Sequence, residues 1–79
     1  MRVRLLYFAS LRDAARCEQE VVEVAAASLD ALYEGARSRH GFALPRERLR
    51  VARNGAFAAW GETAADGDEV AFIPPVSGG

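Results

Sequence analysis

The chain has 79 residues, 51% of them hydrophobic and 27% charged, which is enough for one compact domain and too few for a second. Ten basic residues, all arginine, against eleven acidic ones leave a formal charge of −1, so the whole-molecule field gives polyphosphates little reason to bind and nucleic acid is not the default partner. No apolar run approaches the ~20 residues that cross a bilayer, and Leu5 to Ala9, after Arg2, Val3 and Arg4, is too short for the apolar centre of a secretory signal, so a cytoplasmic protein is expected.

Val3 to Phe8 is β-prone and almost entirely apolar, with Val3, Leu5 and Tyr7 on one side and Arg4, Leu6 and Phe8 on the other, as suits a central strand. Ser10 to Arg16 reads as a polar connection. Glu18 to Val24, where Val22 and Val24 alternate with Val21 and Glu23, reads as a second strand antiparallel to the first. Ser28 can cap the next segment, in which Leu29, Leu32, Tyr33 and Ala36 recur at helical spacing with Asp30 in the first turn. Gly41, after Arg37, Arg39 and His40, supplies the stop.

After a loop around Leu44 and Pro45, Leu49 to Arg53 reads as a strand with Leu49 and Val51 inward and Arg48 and Arg50 outward. Asn54-Gly55 then reverses the chain, because both central positions of a type I′ turn need positive φ. Ala56 to Trp60 is the return strand, and Gly61 to Asp68 a polar loop. Within it, Asp66-Gly67-Asp68 lacks the ligand ladder and distal glutamate of a calcium loop, so it reads as a tight turn. Glu69 to Ile73 is apolar on both faces after its first residue, the signature of a strand inside a sheet with a parallel neighbour.

Strand, strand, helix, strand, strand, strand describes an α+β fold of the ubiquitin-like β-grasp kind. A mixed five-stranded sheet would pack on one main helix, with the first and last strands side by side and parallel. Residues 1–73 would form the globular core and 74–79 an extended tail.

The catalytic toolkit is sparse. Cys17 has no disulfide partner, and with His40 alone it cannot close a four-ligand zinc site. The chain has no lysine, which removes Schiff-base chemistry, a phosphate-loop lysine and any lysine acceptor for chain building on itself. Cys17 lies in a connection with no neighbouring base in sequence, and His40 suits a helix carboxyl end, so neither is assigned a chemical role. A protein that carries or presents something gains ground over an enzyme.

The informative segment is Pro74-Pro75-Val76-Ser77-Gly78-Gly79. Two prolines fix φ and cannot continue a ladder, so the chain must leave the sheet as a stiff arm. Gly78 and Gly79 carry no side chain, so a narrow channel in a partner could admit the backbone as far as a terminal carboxylate. That carboxylate becomes an electrophile once it is adenylated.

Asp66-Gly67-Asp68-Glu69-Val70-Ala71-Phe72-Ile73 running into Pro74-Pro75-Val76-Ser77-Gly78-Gly79 resembles the ending of the molybdopterin synthase small subunits, a sulfur-carrier family. Phe8-Ala9-Ser10-Leu11-Arg12-Asp13 is similar to that family's motif after its first strand, and Asn54 falls at its hairpin asparagine. Ser77 stands where threonine is common in the family, and Gly55 tightens the hairpin. The resemblance covers essentially the whole chain. It implies that a ubiquitin-activating-type adenylyltransferase adenylates Gly79 and that a sulfur donor protein converts it to a thiocarboxylate. The arm then enters the synthase large subunit, where sulfur passes to cyclic pyranopterin monophosphate to form molybdopterin. It implies a heterotetramer with the catalytic pocket on the large subunit, and no cofactor on this chain, ATP and Mg being on the activating enzyme. Arg12 is a docking residue for that enzyme on the resemblance alone.

Alternation adds a surface. If Val3, Leu5, Tyr7, Val70 and Phe72 face the helix, then Leu6, Phe8, Ala71 and Ile73 face away, joined by Phe57. Phe8 and Ile73 would lie at the end from which the arm departs, an apolar patch for a partner to cover. Charge is uneven along the chain: Arg46, Arg48, Arg50 and Arg53 cluster with only Glu47 among them, while Glu62, Asp66, Asp68, Glu69 and the terminal carboxylate have no basic neighbour in sequence. An acidic arm received by a basic channel is therefore expected. Rival readings are a carrier for thiamine, cysteine or tRNA thiolation, a protein modifier conjugated through Gly79, and an interaction domain using the Arg46 to Arg53 strip.

Overall fold

A computed structural model describes residues 1–75. The strands are β1 (Arg2–Tyr7), β2 (Gln19–Glu23), β3 (Arg50–Arg53), β4 (Ala56–Ala58) and β5 (Glu69–Ile73). The helices are α1 (Ala9–Ala15) and α2 (Leu29–His40), with a 3₁₀ turn at Arg46–Arg48. The sheet order is β2-β1-β5-β3-β4. β1 and β5 run parallel with Leu5 opposite Val70 and Tyr7 opposite Phe72, while β2 is antiparallel to β1 and β3 to β5. This is the mixed five-stranded β-grasp sheet expected from the element order.

α2 forms where its caps and its apolar stripe agree. The Ser28 hydroxyl accepts the Ala31 N–H at 3.1 Å, and Gly41, at φ 71, donates its N–H to the Arg37 carbonyl at 2.8 Å. The buried residues Leu29, Leu32, Tyr33 and Ala36 turn one face to Val3, Leu5, Val51, Val70 and Phe72 of the sheet. Each such large apolar side chain contributes about 1.5–3 kcal/mol on burial. At the centre Tyr33 meets Phe72 edge-on with ring centroids 5.1 Å apart, and its hydroxyl reaches the Leu44 carbonyl at 2.5 Å. A buried tyrosine needs such a partner for its polar tip.

Three segments depart from the sequence reading. Residues 10 to 16, taken as a connection, lie in α1 and its cap, which closes on Arg16 at φ 60. Leu11 is the one buried residue of that helix, so no stripe marks it in the sequence. The return strand stops at Ala58 rather than Trp60, because Trp60 turns inward to stack on Phe72 at 6.1 Å. Leu49 is buried but precedes β3, closing the 3₁₀ turn.

The hairpin turn behaves as its dipeptide demands, with Asn54 at φ 53 and Gly55 at φ 86. Asn54 also locks the turn to the start of β5. Its Nδ2 donates to Asp68 Oδ1 at 3.0 Å, and its Oδ1 accepts the Glu69 N–H at 2.9 Å. Asp68 Oδ2 accepts the Ala65 N–H at 2.8 Å, and the bonds from Ala65 and Asn54 hold the Asp68 carboxyl below the usual carboxylate range. Asp66-Gly67-Asp68 is thus a turn, with the Gly67 N–H donated to the Arg2 carbonyl at 2.8 Å.

Candidate functional site: the outer face of the sheet

The face of the sheet away from α2 follows from the register. Leu6 lies opposite Ala71, Ala71 opposite Ala52, and Ala52 opposite Phe57, which makes one apolar row across four strands. Phe8 follows Tyr7 out of β1 beside Ile73, and Ile73 is paired with Arg50. These side chains line a shallow groove of about 320 Å³. Phe8 is 44% exposed and Phe57 67% exposed, an unusual cost for large aromatic side chains on one small surface. The sequence-predicted residues Phe8, Phe57 and Ile73 therefore do come together.

Because β1 and β5 are parallel, both finish at the same edge of the molecule, so Phe8 and Ile73 flank the point where Pro74 follows β5. Pro74 and Pro75 line a second groove of about 460 Å³ with Arg48, Arg50, Phe57 and Ile73. The Arg50 guanidinium sits over the Phe57 ring, 5.2 Å from its centroid. Arg12 is exposed on α1 and borders a third groove with Leu6, Phe8 and Gln19. Val76, Ser77, Gly78 and Gly79 lie outside the described residues.

The topology corrects the placement of the acidic side chains expected beside the arm; the terminal carboxylate lies outside the described residues. Asp66, Asp68 and Glu69 cluster at the start of β5, whereas Pro74 follows its end. There Glu69 pairs with Arg4 at 3.5 Å, Asp68 with Arg53 at 3.9 Å, and Glu62 with Arg53 at 3.5 Å, while Asp66 accepts the Arg2 backbone N–H at 2.7 Å. Adjacency in sequence put Arg53 with the basic strip, but the antiparallel β3–β5 register carries it to the acidic end. Of the described residues beside the exit, Arg48 and Arg50 carry positive charge, and Glu47, the acidic residue of the same groove, is paired with Arg46 at 3.4 Å.

One polar cluster escaped the sequence reading. Glu20 lies opposite Leu5 on the inner face of β2, where its Oε1 accepts from the Tyr7 hydroxyl, from Arg39 Nη2 at 2.9 Å, and contacts His40 Nε2 at 2.8 Å. Burial works against its charge, but the hydrogen bonds from Tyr7, His40 and Arg39 overcome it and hold the carboxyl at about 2. Burial, and then the Glu20 carboxylate, push the Tyr7 hydroxyl above its ordinary value. The available signal was that Glu20 shares alternation with the inward Val22. The cluster ties α2 to the last residue of β1 and so fixes the point from which Phe8 projects. His40, read as a helix-end cation, is thus part of this tie. Cys17 is half-buried and packs against the core.

Among the described residues, no three His, Cys, Asp or Glu side chains gather as a metal site would require, and no helix is long and apolar enough to cross a membrane. A mixed five-stranded sheet in the order β2-β1-β5-β3-β4 packed on α2 is a β-grasp domain of the ubiquitin-like class, here with one apolar outer face at the exit of its central strand.

Known proteins narrow the class. A sequence profile of the ThiS family matches residues 5–79. The molybdopterin synthase sulfur carrier subunit of Escherichia coli is 34% identical over 98% of this chain and 99% of its own length. The crystal structure of SAMP1 from Haloferax volcanii superposes with a TM-score of 0.85 at 31% identity, covering 100% of both chains. The small archaeal modifier protein 1 of the same organism is 58% identical over a stretch of 33 residues, 42% of this chain and 38% of that protein. The chain belongs to the ThiS family of ubiquitin-like sulfur carriers.

Proposed function

We propose that this chain carries sulfur for molybdopterin synthesis, loaded at Gly79. An adenylating enzyme joins the Gly79 carboxylate to AMP and releases pyrophosphate from its Mg-bound ATP. Sulfide-level sulfur delivered by a donor protein attacks the acyl carbon, the C–O bond to AMP breaks and AMP leaves, and a thiocarboxylate remains. The arm, Pro74 to Gly78, then threads into the large subunit of the synthase, where the sulfur passes to cyclic pyranopterin monophosphate and Gly79 returns to a carboxylate. The chain supplies no catalytic pocket in this scheme; the large subunit does, within a heterotetramer. The observation that carries the reading is the convergence of Phe8, Phe57 and Ile73 around the exit of β5, where a receiving protein would cover them. The end-to-end likeness to the E. coli subunit supports the pathway.

The test is the intact mass of the purified chain after incubation with its adenylating enzyme, ATP and a sulfur donor. Replacement of one terminal oxygen by sulfur is expected, and an unchanged mass under conditions that load a known carrier would refute the assignment. A second reading, a protein modifier joined to lysines of other proteins, is favoured by the likeness to the archaeal modifier protein. The absence of lysine in this chain means that no isopeptide-linked chain can be built on its own lysines. Isopeptide-linked adducts in cells, with molybdopterin synthesis intact after deletion of the gene, would select that reading.

A further inference from the structure

Six of the ten arginines, Arg2, Arg4, Arg37, Arg39, Arg46 and Arg53, have a carboxylate within 3.9 Å. Among the described residues the other four, Arg12, Arg16, Arg48 and Arg50, have none within 4.0 Å. Three of those four border the apolar outer face: Arg12 on the β1 side, where Glu18 lines the same groove, and Arg48 and Arg50 on the β3 side next to Pro74 and Pro75. Among the described residues, Arg4 and Arg53 at the acidic end of the sheet are thus paired, whereas Arg48 and Arg50, where the arm leaves, are not, the neighbouring Glu47 being taken by Arg46.

An exposed arginine is stable in water without a partner, so the free chain loses little by this. Its position matters for encounter. Exposed charges act over roughly 10 Å at 0.1 M salt, so a cationic rim around an apolar centre attracts a surface of opposite sign before contact. Arg50 is also preorganised. A guanidinium held over a ring, as Arg50 is over Phe57, keeps in-plane N–H groups for a bidentate carboxylate.

We infer that Arg48 and Arg50 form an anion-recognising rim, against which the adenylating enzyme seats a segment carrying at least two carboxylates beside an apolar side chain. The inference rests on the carrier reading and names the chemistry of the partner at that site. It reverses the sign of the field expected from sequence alone: the channel mouth on the partner is acidic on its β3-facing side.

The experiment is ATP–pyrophosphate exchange by the adenylating enzyme of the same organism, with this chain as the varied substrate. The Arg48→Glu/Arg50→Glu double variant is expected to raise KM for the chain at least about tenfold, with a weaker dependence on salt than wild type. Arg48→Gln/Arg50→Gln should fall between them, and Arg48→Lys/Arg50→Lys should recover most of the loss. All these side chains are exposed, and thermal unfolding of each variant within a few degrees of wild type confirms that the fold is kept. Arg16→Glu, which reverses an unpaired arginine outside the grooves, should leave KM unchanged. KM for the Glu double variant within twofold of wild type overturns the inference, as does an equal loss in Arg16→Glu, which would make net charge the cause. Wild-type exchange at normal KM together with an unaffected double variant leaves the carrier reading standing and removes only the rim. No exchange with wild type removes the carrier reading and the rim with it.

Discussion

Replacing Glu20 by glutamine keeps the side chain's shape and removes the charge that Tyr7, Arg39 and His40 surround. Each pH unit by which an acid is lowered is worth about 1.4 kcal/mol, so a carboxyl moved from 4.5 to about 2 sets a ceiling of roughly 3 kcal/mol. Glu20 is 26% exposed, and solvent screening reduces this to roughly 1 to 2 kcal/mol at pH 7. A carboxyl held below its unfolded value contributes stability that is fully present above about pH 4.5 and lost as pH falls toward 2. Wild type and Glu20→Gln should therefore differ by that amount at pH 7 and converge to within about 0.5 kcal/mol near pH 2. Urea unfolding followed by the fluorescence of Trp60, the single tryptophan, reads both. At this chain length the pH 7 difference also corresponds to a shift of about 5 to 10 °C in Tm. A difference of the same size at both pH values would refute the reasoning, because it would mean that the charge is not what the three partners stabilise.

Phe57→Ser should change unfolding free energy by less than about 0.5 kcal/mol, since the ring is 67% exposed. The same substitution should raise KM in the adenylation exchange severalfold, and a normal KM would remove Phe57 from the docking face. Asn54→Ala and Asp68→Ala should each lose about 1 to 2 kcal/mol in urea titration, since each leaves polar groups of the turn without partners. The double variant should fall short of the sum by at least about 0.5 kcal/mol, and strict additivity would mean that the Asn54–Asp68 contact carries nothing.

The parts legible in the sequence were those where local chemistry and tertiary placement agree. Asn54-Gly55 admits a turn that few other pairs do, and Leu29, Leu32, Tyr33 and Ala36 sit between a true cap and a true stop. Val70 and Phe72, with Ala71 and Ile73 on the other face, announce a strand enclosed on both sides. Alternation alone then placed Phe8, Phe57 and Ile73 on one face, which the register bears out. What stayed hidden depends on distant neighbours. α1 buries only Leu11 and shows no stripe. Glu20 looks like a solvated strand residue until α2 brings Arg39 and His40 over it. Charge placement was hidden for the same reason: Arg53 adjoins arginines in sequence but pairs with Glu62 and Asp68 in space, so the acidic side chains that precede β5 stand at the far end of the strand from Pro74, beside which Arg48 and Arg50 lie.

The placement of β5 has a mechanical consequence. Its backbone is hydrogen-bonded on both flanks, to β1 in parallel and to β3 in antiparallel register. Tension applied at Pro75 along the strand loads both ladders in shear, so their bonds resist together instead of opening in succession like a zip. A machine that reels in the end of this chain therefore pulls on the whole domain as one body, and the globule stays shut while its leash is drawn tight.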